Sequence, residues 1–408
     1  MDYIKRDIEP LLLEISKSYS AIIITGPRQV GKTTTLKRLF GEGRRFVSLD
    51  DSENRHLAKT DPELFLSMNR APIIIDEVQC APELFPYIKM EIDSGVSPGS
   101  YLMTGSQMYQ LMGLAGESLA GRVAILRMTG LSQHEIHGSG ACLPFALNLN
   151  SLQDRVACGK PTDVLGQYER IWNGSLPAHI SGKHGNRNIF YNSYIDSYID
   201  RDIKDMVVLK DEYLFRNFVR AAACRAGQML NMHEIAADVG VSDETAKVWL
   251  GFMERSGVIF YLRPFSNNLL NRTVKKMPKM YFFDTGLVAH LTKYSSPEVL
   301  QNGAINGAIL ENYVVSEIIK TYTNNGLECY AHYYRDIDSK EVDMVLENDG
   351  VLHPIEIKKA SSPPPEAVNA FKVLDKASIP RGMGAIICIK REMSAIDRKT
   401  AIVPVWTI

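Results

Sequence analysis

Apolar residues follow two patterns along this chain, and the change from one to the other divides it. In the first third, unbroken aliphatic runs recur at Ala21–Ile24 and Pro72–Ile75, with further apolar runs at Ser100–Gln107 and Val123–Leu126. A continuous run of this length predicts a strand covered on both faces, as in a parallel sheet. Thr34–Phe40 and Met108–Ala120 instead space their apolar residues three and four apart, which predicts helices. Strands and helices in alternation predict an α/β domain. Further on, Tyr and Ile recur at helical spacing over Tyr191–Asp202. Leu230–Val241 reads as a short helix closed by a glycine turn, and Ser242 caps a second helix over Ala246–Ser256. Strands are expected at Gly257–Leu262 and Met280–Phe283. A helix follows over Gly307–Glu317, then strands over Glu328–Arg335, Glu341–Leu346 and His353–Lys358. Ser361–Pro365 breaks the chain before a last helix and strand.

A length of 408 residues exceeds what one core supports. The pattern divides it into 1–136, a helical lid or linker over 137–226, a third unit over 227–295 and a fourth over 296–408. A net charge of −1 gives no global attraction to nucleic acid or membrane, so any nucleic-acid surface must be a local patch. Six scattered cysteines with no C-x-x-C pair speak against a zinc site and a disulfide framework. The N-terminus lacks the apolar core of a signal peptide and no apolar run approaches 18 residues, so a cytoplasmic protein without a membrane partner is expected.

The first chemistry lies between the first strand and its helix. Gly26-Pro27-Arg28-Gln29-Val30-Gly31-Lys32-Thr33 is a complete G-x-x-x-x-G-K-[ST] loop. Glycines let backbone N–H groups converge on phosphate oxygens, and the following helix aims its positive end at them. Lys32 would reach the β- and γ-phosphates and the Thr33 hydroxyl would ligate Mg²⁺, so a nucleoside triphosphate is expected. Pro72–Ile75 ends in Asp76 and Glu77, placed to hold the Mg²⁺ shell and to polarise an attacking water. The strand at Ser100–Gln107 ends in Thr104, Ser106 and Gln107, any of which could sense the γ-phosphate, with Ser106 favoured. Arg122 follows the helix over Met108–Ala120. It reads either as a finger onto a neighbouring copy's γ-phosphate, implying a homo-oligomer, or as a cation satisfying a helix C-terminus.

Together these elements resemble the AAA+ ATPase superfamily, in its prokaryotic GPRQVGKTT branch. The resemblance runs through Gly26–Thr34, Met103–Gln107 and Glu117–Arg122 and covers roughly the first 135 residues. It implies a three-layer α/β sandwich with ATP and Mg²⁺ as cofactors, and a C-terminal domain of unknown function after it. No arginine stands in an evident second-sensor position.

Two further resemblances lie downstream. The helix pair around Ser242, with the basic loop Arg272–Lys279 between strands, resembles a winged helix-turn-helix. That leaves open double-stranded DNA, a protein partner or an architectural role. Asp343 on one strand and Glu356-x-Lys358 on the next resemble a PD-(D/E)XK nuclease, implying a smaller α/β restriction-endonuclease-like domain. There Asp343 and Glu356 would ligate a second Mg²⁺, Glu311 would complete the shell, and Lys358 would orient water. Three uses of the loop therefore stand: hydrolysis that repositions the C-terminal domains, a gate on DNA cleavage, or a slow switch for protein partners.

Overall fold

The computed structural model describes residues 3–106, 119–138, 143–183, 185–198, 212–265, 277–336 and 340–408. Gln107, most of the helix expected over Met108–Ala120, residues 272–276 of the basic loop Arg272–Lys279 and the end of the Tyr191–Asp202 helix lie outside these residues; Lys279, the loop's last residue, is instead the buried start of a strand.

The aliphatic runs form β1 (Ala21–Thr25), β2 (Arg45–Ser48), β3 (Ile73–Asp76), β4 (Tyr101–Gly105) and β5 (Val123–Arg127). They pair in parallel in the order β2-β3-β4-β1-β5. Their residues alternate between two cores, as the pleat requires. Ala21, Ile23, Ile73, Ile75, Tyr101 and Met103 pack on one face, and Ile22, Ile24, Ile74 and Leu102 on the other. Because both faces are covered, neither tolerates the polar alternation of a half-solvated strand. The helix Lys32–Phe40 leaves the C-terminal end of β1, so the glycine loop sits at the edge where parallel strands present ligands.

The second core face continues into the remainder of the chain, where Phe190, Phe218, Phe282, Val315 and Ile387 join the same cluster. Ser242 caps Asp243–Arg255 as expected, its hydroxyl accepting the Thr245 amide at 3.1 Å. Trp249 of that helix lies edge-on to Phe215 and Phe218, at 5.2 and 5.1 Å.

β6 (Gln228–Met229), β7 (Ile259–Pro264) and β8 (Lys279–Phe282) continue into β9 (Ala331–Arg335), β10 (Glu341–Asn348), β11 (Val351–Lys358), β12 (Gly384–Cys388), β13 (Ser394–Asp397) and β14 (Thr400–Pro404). These nine form one mixed sheet, because β7 pairs in parallel with β9 through Arg263↔His332. After the Ser361–Pro365 break, the expected helix is a 3₁₀ segment over Pro365–Lys376.

The helix Asn306–Thr323 clamps the two sheets together. Asn312 brackets Phe282 of β8, accepting its amide at 2.8 Å and donating to its carbonyl at 2.7 Å. Further along the helix, Glu317 accepts the Gln133 amide at 2.9 Å, and Lys320 donates to the Leu131 carbonyl at 3.0 Å. Glu317 and Lys320 pair at 2.7 Å with almost no exposure. Breaking a buried pair strands a charge and costs about 3–5 kcal/mol. Lys320→Met is therefore expected to lose that much in urea unfolding. Adding Glu317→Met should cost less than the sum of the two single changes, because the partners are coupled. A loss under about 1 kcal/mol for the single change would mean the pair does not clamp the sheets.

Candidate functional site

The glycine loop is shaped by backbone before any side chain acts. Gly26 has φ +147°, and a Cβ there would come within 1.9 Å of the Met128 carbonyl oxygen, so only glycine fits. Gln29 and Gly31 take positive φ of +61° and +96°, curling the backbone into the concavity that anions favour. A left-handed glutamine is strained, as residues at binding loops often are. The helix Lys32–Phe40 starts at Gly31 with no side chain capping it, so its first-turn amides have no side-chain acceptor there. A polyphosphate fits this end, and it is where the positive helix pole lies.

Lys32 folds back over the loop, its Nζ donating to the Gly26 and Pro27 carbonyls at 2.9 and 2.8 Å. Thr33 donates to Asp76 Oδ1 at 2.6 Å, and Thr104 donates to the same oxygen. Hydroxyl and carboxylate thus stand together where a hard cation needs oxygen ligands, so the donor set fits Mg²⁺. The loop residues Arg28, Gln29, Val30, Lys32, Thr33 and Thr34 line a cavity of about 670 Å³ that also admits Glu77.

Glu77 follows Asp76 with φ +55°, which turns its side chain away from the strand's alternation and toward β4. Its amide donates to Thr104 at 3.3 Å, and Ser106 and Gln79 both donate to its Oε2, at 3.2 and 2.5 Å. Ser106 thus touches the carboxylate, and through it the cavity, without lining the cavity itself. Burial alone would push the Glu77 carboxyl up. The Lys32 ammonium, the Gln79 bond, Arg28 and the Ser106 bond outweigh it and hold the group below its usual range. An ionised carboxylate facing the loop can take a proton from water.

Arg6 carries no motif, yet it is 2% exposed and holds the loop's outer shoulder. Its guanidinium donates to the Val30 carbonyl at 2.6 Å, the Thr129 carbonyl at 2.8 Å and Glu135 at 2.9 Å. Gly257, in the turn before β7, abuts the loop from the other side. A Cβ there would come within 2.9 Å of Pro27. Lys183 and Pro177 of the middle region also line the cavity. Only proximity in the fold identifies these residues.

Arg122 lies elsewhere. It precedes Val123, which pairs with Ala21 at the opposite end of the strands from Asp76. Five residues of strand at about 3.3 Å each separate the two ends, more than an arginine spans. Arg122 is half-exposed and forks onto Asp93, at 2.5 and 3.2 Å.

The C-terminal set does assemble, with an unforeseen member. Asp343 sits where the β9–β10 register shifts, and its Oδ2 accepts the Ile357 amide at 2.8 Å. Glu356 pairs with Lys358 at 2.5 Å. Burial and Asp343 push the Glu356 carboxyl up to about 8, and burial and Asp343 likewise take Glu311 to about 7. Beside Glu311 lies Lys279, 2.8 Å from it, 2.6 Å from Glu341 and 3.8 Å from Asp343. Among the described residues no three His, Cys, Asp or Glu side chains are grouped to hold a metal ion. Glu311, expected to complete a Mg²⁺ shell, is instead bound to the Lys279 ammonium and the Tyr281 hydroxyl.

Residues 18–137 match the family model described as an AAA domain. This segment resembles P-loop domains of the AAA type. Beyond the AAA-type segment, residues 166–298 and 306–408 match two domains of unknown function, DUF8612 and DUF4143. Uncharacterized protein Rv2008c of Mycobacterium tuberculosis is 28% identical over 362 residues, covering 88% of this chain and 75% of that protein. The same values hold for Uncharacterized protein Mb2031c of Mycobacterium bovis. Among solved structures, a Walker-type ATPase of Pyrococcus abyssi is 12% identical with a TM-score of 0.43, covering 71% of this chain and 96% of that one. DnaA of Aquifex aeolicus bound to AMPPCP is 14% identical with a TM-score of 0.29, covering 60% and 85%. No helix among the described residues is long and apolar enough to cross a membrane.

If the loop's nucleotide is hydrolysed and Glu77 takes the proton, the reaction needs that carboxylate ionised and fails as pH falls through its lowered pKa. The acid limb of kcat, followed over about pH 4 to 8, should therefore lie below the ordinary glutamate range. Ser106→Ala removes a bond that favours the charged form, so the limb should move to higher pH. A limb unmoved by that change would detach Ser106 from Glu77.

Proposed function

We propose that this chain is a Mg²⁺-dependent ATPase whose hydrolysis repositions residues 227–408 on a macromolecular partner. The observation that carries the reading is the depressed carboxyl of Glu77, held by Ser106 and Gln79 beside an uncapped phosphate loop. Lys32 would leave the Gly26 and Pro27 carbonyls for the β- and γ-phosphates. Thr33 and Asp76 would hold Mg²⁺, which supplies neutralisation of the developing phosphate charge when bound. Glu77 would accept the proton of the attacking water, and Ser106 would keep that carboxylate aimed.

The coupling we propose runs through contacts made at the loop itself. Pro27 abuts Gly257, so a change in the loop bears directly on the turn that starts β7, and the Tyr198 hydroxyl, from the helix Arg187–Tyr198, meets the adjoining Ser256 at 2.8 Å. We read 1–136 as the ATPase domain, 137–226 as lid and linker, 227–295 as winged helix and 296–408 as nuclease-like fold. The helices Glu212–Ala223, Met232–Val239 and Asp243–Arg255, followed by the β7–β8 hairpin, favour the winged-helix reading. Asp243 and Glu244 are exposed at the start of the would-be recognition helix, where they would meet phosphates of like charge. A protein partner therefore fits better than duplex DNA.

Arg122 cannot reach its own chain's loop, so we assign it to the nucleotide of a second copy, with Asp93 holding it in the meantime. Glu77→Gln is expected to cut turnover about 10²–10⁴-fold while nucleotide binding persists. Arg122→Ala should also fail alone, and mixing it with Glu77→Gln should restore part of the activity, since mixed assemblies contain intact pairs. Full activity of Glu77→Gln would displace Glu77 as the base. No recovery on mixing would place Arg122 outside the reaction. Stimulation by double-stranded DNA would overturn the choice of a protein partner.

A further inference from the structure

We infer that Lys279 is the resident cation of the C-terminal carboxylate centre and that it keeps divalent metal out of it. The D…E-x-K pattern implies a metal between Asp343 and Glu356, and the residues present do not fit one. Lys279 belongs to β8, 32 residues before Glu311 and outside the pattern, yet its ammonium stands among Glu311, Glu341 and Asp343. Its side chain is 4% exposed. Tyr281, two residues along the same strand and so on the same face, adds a hydroxyl to Glu311 at 2.6 Å. The Tyr333 ring lies on another side of the ammonium, its centroid 5.7 Å from Nζ.

The arrangement is that of a filled site. A buried ammonium is tolerated only where carboxylates surround it, and here three do. Glu341 at 2.6 Å, Glu311 at 2.8 Å and Asp343 at 3.8 Å surround the ammonium with opposite charge. A dication entering the same space would meet the ammonium's charge at short range, with twice the repulsion a monovalent ion would feel. It would also compete for Glu311, whose Oε1 already takes both the ammonium and the Tyr281 hydroxyl. What remains is Asp343, whose Oδ2 takes the Ile357 amide, and Glu356, whose Oε1 takes Lys358 while its buried Oε2 has no hydrogen-bond partner; two carboxylates are too few oxygen ligands to offset the ammonium's repulsion of a dication. A carboxylate centre of this kind serves as a salt-bridged support for the nine-stranded sheet rather than as a metal-dependent cutting site.

Mn²⁺ binding, read from the loss of the free-ion EPR signal on the full-length chain without nucleotide, tests this. The parent chain and Asp343→Asn should take up the same amount, because any ion held at Thr33 and Asp76 is common to both. Lys279→Met should gain about one further Mn²⁺ per chain and a higher Tm when Mn²⁺ is added, since an ion that binds only the folded form stabilises it. Asp343→Asn in that background should abolish the gain. Uptake by the parent chain that Asp343→Asn removes would overturn the inference, and that comparison stands even if Lys279→Met fails to fold. A folded Lys279→Met that gains no Mn²⁺ would overturn it equally. None of these readouts depends on turnover, so they stand apart from the hydrolysis reading.

Discussion

The Arg6 guanidinium is the contact on which the rest of the nucleotide site depends. A buried charge must be surrounded, and Arg6 is surrounded by the loop at Val30, the chain after β5 at Thr129 and the carboxylate of Glu135. Glu135 in turn accepts the amides of Asp7 and Ser132, closing a capping box on the helix Gln133–His137. One ion pair thereby fixes the N-terminal segment, the shoulder of the phosphate loop and the exit from the sheet relative to one another. Such a pair adds little to stability if both partners are replaced by apolar residues. What it contributes is placement, because a guanidinium accepts only one arrangement of its donors.

From that anchor, order passes outward in two directions. Toward the loop it sets the height of Val30, and so the entry of the helix that begins at Gly31. Toward the sheet's far side it sets Leu131 and Gln133, which the helix Asn306–Thr323 grips through Lys320 and Glu317. Arg6 and the Glu317–Lys320 pair thus hold the same short stretch of chain from opposite sides. Loop and carboxylate centre are joined by buried polar contacts.

What the sequence revealed follows from how local each feature is. The strand–loop–helix at β1, the Asp76-Glu77 end of β3 and the Ser242 cap are each complete within a few residues, so pattern and turn chemistry expose them. Arg6 meets Glu135 across 129 residues, and Thr104 meets Asp76 across 28. No local spacing encodes such meetings. Lys279 is the sharpest case, because a short motif lists the residues a metal would need and is silent on a cation supplied by a strand upstream. The continuity of the nine-stranded sheet was hidden for the same reason. The β7–β9 pairing is long-range, and both strands read the same whether or not they touch.

The helix Asn306–Thr323 has a consequence for how this protein can be inherited. Family resemblance draws a boundary between residues 298 and 306, which invites the picture of an ATPase with an exchangeable tail. Yet Glu317 and Lys320, from the tail, satisfy a backbone amide and a carbonyl belonging to the first segment. A different tail grafted at that boundary would leave those backbone groups buried without partners unless it brought the same two side chains at the same spacing. The two segments are therefore a matched pair, and lineages that reshuffle domains would have to move them together.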